Sequence, residues 1–176
     1  MKFSQLTALT GLALALVLTG SARADTTVEL KNTHLCCGAC VKAVGKILGG
    51  VEGVTGKCDQ SAHTITITAK DDATAQKAVD ALAAGGFHGD TGSNSVKVKE
   101  DSGVEKGKVK SLTLTGAHNC CGACCKAIKA TVKGVDGVKG DTAKPKGETF
   151  EVTGEFDAEA LVKALNAAGF HVKVKK

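Results

Sequence analysis

The chain has no tryptophan and no tyrosine, and its 176 residues include five phenylalanines, one proline, one arginine and one methionine. Each shortage excludes something. Nucleic-acid recognition relies on arginine forks and on aromatic rings that stack against bases. With Arg23 the sole arginine, the many lysines read instead as a solvated surface, and no nucleic-acid partner is expected. Met1 is the sole methionine, so thioether ligands are excluded from the body of the chain. Thioredoxin-like oxidoreductases set a proline-bearing loop opposite their Cys-x-x-Cys, in a larger α/β pattern. Pro145, the only proline, falls instead in a hairpin of the second half.

Long apolar runs are also scarce. The one extended run, Leu6 to Leu18, is well short of the ~20 residues that a membrane span needs. It follows the positive start Met1-Lys2 and precedes Ser21-Ala22-Arg23-Ala24, a small-x-small pattern. That order describes a secretory signal peptide at 1–24, cleaved after Ala24. The expectation is an exported, periplasmic protein with no stable membrane insertion after cleavage. Its charge would fall from +5 to +3, since Lys2 and Arg23 leave and no acid does.

Cysteine, by contrast, is plentiful. Seven of the eight cysteines form two clusters, Cys36-Cys37-x-x-Cys40 and Cys120-Cys121-x-x-Cys124-Cys125. Exported proteins usually spend cysteines on disulfides, which stabilise most when they close long loops. Cysteines within five or six residues of each other cannot do that unless the two clusters bridge to each other, and they read as ligand sets.

The clusters also mark a duplication. His34-Leu35-Cys36-Cys37-Gly38-Ala39-Cys40 matches His118-Asn119-Cys120-Cys121-Gly122-Ala123-Cys124 at an offset of 84, and Gly50-Val51-Glu52-Gly53-Val54 matches Gly134-Val135-Asp136-Gly137-Val138 at the same offset. Gly86-Phe87-His88 matches Gly169-Phe170-His171 at 83. Three blocks in one order establish a repeat. Each copy reads as a short strand (Val28–Leu30; Leu112–Leu114), a Cys loop, and a helix whose first-copy face carries Val41, Val44, Ile47 and Leu48. Two strands follow, Val54–Cys58 and Thr64–Thr68 in copy one, with Thr149–Thr153 the partner in copy two. A second helix (Ala73–Ala84; Ala158–Ala168) and a closing strand (Val96–Val98; Val172–Val174) complete the unit. The expected fold class is α+β, a ferredoxin-like βαββαβ sandwich duplicated in tandem. The copies would occupy 25–99 and 109–176, joined by a charged, Gly-containing tether at 100–108.

With these residues the chain resembles the heavy-metal-associated domains of copper chaperones and metal-transporting ATPases. The likeness rests on Cys-x-x-Cys between the first strand and first helix, the Gly-Val-x-Gly-Val turn, and the Ala-Gly-Phe residues before the last strand. The resemblance implies that Cys37 and Cys40, and likewise Cys121 and Cys124, bind a soft metal without catalysis. It implies copper(I) first, with zinc, mercury(II) or cadmium as alternatives, and a metal-transporting ATPase or another acceptor protein as partner. A protein similar to the periplasmic mercuric-ion-binding protein fits the same features.

Thiolate chemistry points the same way, because soft sulfur ligands select copper(I), zinc and heavier thiophilic ions. A helix start also lowers thiol pKa. The family has Gly-Met-Thr before its first ligand; this chain has His34-Leu35-Cys36 and His118-Asn119-Cys120. Cys36 and Cys120 are expected to raise each site to three sulfurs. His34 and His118 either supply a fourth ligand or sit solvated in the loop. His88 and His171 are expected on the rim, Cys125 in the core, and Cys58 in a structural role. The duplicated loop predicts two independent sites, one per copy, and the competing function is thiol–disulfide exchange.

Overall fold

The computed structural model describes residues 25–176. The signal peptide expected at 1–24 lies outside the described residues.

Alternation builds the sheets. In β3 (Thr64–Ala69) Ile65, Ile67 and Ala69 are buried while the threonines between them are half-buried. This is the period of two that a half-buried strand imposes. It pairs antiparallel with β1 (Thr26–Leu30) and β2 (Val54–Asp59), giving the order β1-β3-β2. The helices α1 (Gly38–Gly49) and α2 (Asp72–Ala84) cover this sheet with Cys40, Val44 and Leu48 from the first and Ala75, Ala78, Val79 and Leu82 from the second. Asp71 caps α2 by accepting the Thr74 amide at 2.7 Å, the usual service of an aspartate at that position.

Copy two repeats the plan with β4 (Lys108–Thr115), α3 (Gly122–Lys133), β5 (Val138–Asp141), β6 (Thr149–Asp157), α4 (Ala158–Ala167) and β7 (Lys173–Val174). Its strand order, β5-β6-β4-β7, places the first and third strands of the unit at the centre, as the ferredoxin-like topology requires. The described residues thus form an α+β fold with two antiparallel sheets.

Copy one departs from expectation at its closing strand. Val96–Val98 is not a strand, although Val96 is buried. The place of β7 is taken by Gly89-Asp90-Thr91, which contributes one isolated bridge, Lys31 to Asp90. Glycine and aspartate are poor strand formers, and the alternation in Val96-Lys97-Val98 misdirects the sequence reading. The 100–108 stretch is not a free tether either. Asp101 accepts from Lys173 at 2.6 Å and lies 2.7 Å from His171 Nε2, Ser102 accepts the Val174 amide, and Lys108 already belongs to β4.

The two copies dock through one repeated loop. The Gly86 carbonyl accepts from the His118 and His171 amides at 3.2 and 3.1 Å; the Gly169 carbonyl accepts from the His34 and His88 amides at 3.4 and 3.1 Å. Phe87 and Phe170 pair as an antiparallel bridge between these loops. The pattern is reciprocal, as in the self-complementary contact of a symmetric dimer. Both glycines have positive φ (+85° and +87°), and a Cβ on either would come within 2.2 Å of the other copy's backbone. Only glycine fits there.

Gly169→Ala is therefore expected to destabilise the chain by about 1–3 kcal/mol, because neither φ nor the close approach to the His34 amide tolerates a methyl group. Chemical denaturation of wild type and variant measures it. A second expectation concerns pH. Burial, aided by the nearby His171, holds His88 below its ordinary histidine value, against the raising effect of Glu100 and Asp90. As pH falls below about 6.5, the unfolded chain takes up a proton that the native state resists, so stability present above that pH is lost on acidification. Melting temperature should fall between pH 7.5 and 5, and fall less in His88→Asn.

Candidate metal centre

The site starts with two helices that lack caps. Cys37 and Cys121 occupy the N-cap positions of α1 and α3, and neither side chain bonds back to its helix. The first amides of both helices thus remain free to act on nearby sulfur, at the positive end of the helix dipole. The effect is plain at Cys121. The nearby backbone amides of Cys124 and Ala123 stabilise its thiolate without closing a cap hydrogen bond, and hold its pKa at about 6, against an ordinary value near 9.

Docking brings the two helix starts together, and the six cysteines of both loops converge. Cys36 Sγ lies 3.4 Å from Cys124 Sγ and 3.7 Å from Cys121 Sγ; Cys37 lies 3.9 Å from Cys121; Cys40 lies 3.8 Å from Cys120 and 3.9 Å from Cys124. Within each copy the sulfurs are 3.6–3.9 Å apart. These are not bonded sulfurs, which lie about 2.05 Å apart. They are at the spacing that an ion sets. With sulfur about 2.3 Å from the metal, two ligands stand about 3.8 Å apart in a tetrahedron and about 4.0 Å apart in a trigonal plane.

Cys40 and Cys124 form the middle of the cluster. Both are fully buried, and each lies within 3.9 Å of four other sulfurs. The remaining four are half-buried. Burial, with hydrogen bonding to neighbouring thiols, pushes the Cys36 and Cys120 thiols up. Cys40 is drawn down despite its burial by hydrogen bonds from the Cys36 thiol and from backbone amides. Burial also raises Cys124. The cluster therefore mixes groups that give up a proton readily with groups that keep it.

The histidines bind the other copy. His34 stacks on Phe170 with ring centroids 4.3 Å apart, and His118 stacks on Phe87 at 4.2 Å. Offset ring stacking of this kind adds about 0.5–1.5 kcal/mol beyond the area it buries. Each leaves Nε2 buried without a hydrogen-bond partner. Burial lowers both below the ordinary histidine value, His34 to about 4, so both present neutral rings. Among the described residues three groups place their ligand atoms mutually within 4.8 Å: Cys40 with His118, Cys120 and Cys124; His34 with Cys36 and Cys124; and Cys36 with Cys37 and Cys121. Every one draws on both copies. Thiolates with neutral imidazole form a soft donor set, and the unpartnered Nε2 atoms fit a ligand role.

All six cysteines expected as ligands thus meet in one place, not in the two separate sites predicted. His88 and His171 lie outside these groups; they stack on each other, centroids 5.6 Å apart. Cys125 is buried in the core and Cys58 is half-buried on β2, away from the cluster. Leu35 is fully buried and belongs to the core. Asn119, at the matching position, is also buried and donates to the Lys144 carbonyl at 2.8 Å, tying the loop to the hairpin that carries Pro145. Sequence reasoning missed the Gly86 and Gly169 carbonyls and the two phenylalanines as docking groups. Their repetition in the Gly-Phe-His blocks was the available signal.

No family model and no curated protein matches the chain. Among solved structures it is similar to oxidised MerP from Ralstonia metallidurans CH34, at 26% identity over 38% of this chain and 97% of that one, with a TM-score of 0.36. It is also similar to a copper-binding domain of the P-type ATPase HMA7, at 17% identity over 39% of this chain and 96% of that one, TM-score 0.36. The N-terminal soluble domains of Bacillus subtilis CopA align over 87% of this chain and 95% of theirs, at 18% identity and a TM-score of 0.32. None of these likenesses fixes what this chain binds. Among the described residues no helix is long and apolar enough to cross a membrane.

The lowered Cys121 thiol makes a direct prediction. In reduced, metal-free protein at pH 7, limiting iodoacetamide should label Cys121 first and the buried Cys125 and Cys124 last, as peptide mass spectrometry will show, because the thiolate is the reacting species.

Proposed function

We propose that the chain is a non-catalytic soft-metal carrier or buffer, and that its principal cargo is copper(I). One observation carries this reading: six thiols from two loops converge at metal-ligand spacing on two uncapped helix starts. The clustered donors are sulfur and imidazole nitrogen rather than oxygen, so magnesium and calcium are disfavoured and thiophilic ions favoured. The half-buried outer cysteines leave an incoming thiolate room to attack the bound ion, which suits transfer by ligand exchange. The leader-like 1–24 segment supports a periplasmic setting, with a metal-transporting ATPase or another thiolate acceptor as partner.

A second reading has its own support. Cys40, His118, Cys120 and Cys124 together make a three-sulfur, one-nitrogen set of the kind that holds structural zinc. Under that reading the chain would be a zinc, cadmium or mercury(II) scavenger of the same architecture.

Protein purified anaerobically from its own host and analysed for metals separates the two; copper is the expected finding. Reduced wild type should also retain copper(I) against a chromophoric copper(I) chelator. Removing even outer partners of a metal site costs 10–100-fold in affinity, so Cys37→Ser with Cys40→Ser should cost at least about 100-fold, while Cys58→Ser should change nothing. Failure of the wild type to hold copper(I), with tight zinc binding, would replace the copper reading by the zinc one. If neither metal binds and the thiols instead cycle rapidly with a dithiol substrate, the chain is a redox protein.

A further inference from the structure

We propose that the two copies share one polynuclear copper(I)–thiolate core of about four ions rather than holding one ion each. The proposal rests on the soft-metal reading above and goes beyond it in nuclearity, and in needing both copies for every ion.

The geometry leads there. Two independent sites would need two groups of sulfurs separated from each other. Instead, contacts between the copies are as short as those within them: 3.4 Å for Cys36 to Cys124 against 3.6 Å for Cys36 to Cys40. Each metal-capable group takes ligands from both copies. Cys40 and Cys124 each neighbour four sulfurs, so neither can serve a single ion without approaching a second. Sulfurs so placed bridge. When each of six thiolates bridges two ions and each copper(I) takes three sulfurs, the set closes at about four ions.

Charge and protons balance. Four Cu⁺ displace the protons of the six thiols, which pass to solvent. Two negative charges remain on the core. The starts of α1 and α3, uncapped and each worth roughly half a positive charge, face the same sulfurs and offset that excess. No oxidant or reductant is consumed.

Docking makes the core an internal one. The Gly86 and Gly169 carbonyls and the crossed His–Phe stacks hold the loops in register within one chain, so loading needs no second molecule.

The test is anaerobic titration of the reduced full chain with copper(I) in the presence of a competing chelator, followed by X-ray absorption at the copper edge and sedimentation of the loaded protein. The expected result is a monomer that saturates at about four ions in one cooperative step, with about three sulfurs per copper and copper–copper scattering. Saturation at two ions without copper–copper scattering overturns the shared core and leaves the soft-metal reading standing. Saturation at about four only in a dimer of chains overturns the internal core. No retention of copper(I) overturns both. The variant Cys120→Ser, Cys121→Ser, Cys124→Ser gives a second handle. A shared core predicts at most one weakly held ion, with no copper–copper scattering. Retention of half the wild-type ions at wild-type affinity would show that the copies bind separately.

Discussion

Everything distinctive in this molecule depends on the contact between two glycine carbonyls and the backbone of the opposite copy. Gly86 and Gly169 each accept two amides across the boundary, and their missing side chains let the loops approach closely. A hydrogen-bonded contact of this kind is directional, so it fixes register as well as proximity. Phe87 and Phe170 supply the apolar area, each covered by a histidine of the other copy. Without this docking the two cysteine loops would be two small, separate features of a duplicated chain.

Once docked, the sulfurs create a problem that a cation solves. Six thiols packed within 4 Å of their neighbours cannot all ionise, because like charges at that distance disfavour each other's charged form. The thiols also divide by surroundings: burial pushes Cys36, Cys120 and Cys124 up, while hydrogen-bond donors draw Cys121 and Cys40 down. A metal ion relieves the repulsion and replaces the protons, so affinity is coupled to pH and to the reduced state. The absence of a side-chain cap on α1 and α3, a weakness in an ordinary helix, here leaves amides available to sulfur.

The copies are not equivalent. Copy two completes its four-stranded sheet, while copy one ends in a bridge at Asp90 and continues into a connection pinned to copy two by Asp101 and Ser102. The stacked pair His88 and His171 sits beside that connection, and Glu100 lies 3.7 Å from His88. The fold thus ties its halves together twice: through the Gly-Phe-His loops and through the 100–108 segment.

The sequence alone determined the repeat, the α+β elements and the identity of the six clustered cysteines, because alternation, helical period and Cys spacing are local signals carried by neighbouring residues. It misplaced the last strand of copy one, since Val96-Lys97-Val98 has the local pattern of a strand but Gly89-Asp90 occupies the pairing position beside Lys31. It left His34 and His118 open between ligand and loop, and their stacking on Phe170 and Phe87 depends on residues in the other copy. It predicted two sites where the structure forms one cluster. Only the tertiary structure could decide that, because an offset of 84 residues states that two loops are alike and says nothing of whether they meet. Their meeting is set by carbonyls, close backbone approach and ring stacking across the copies, none of which leaves a period in the sequence.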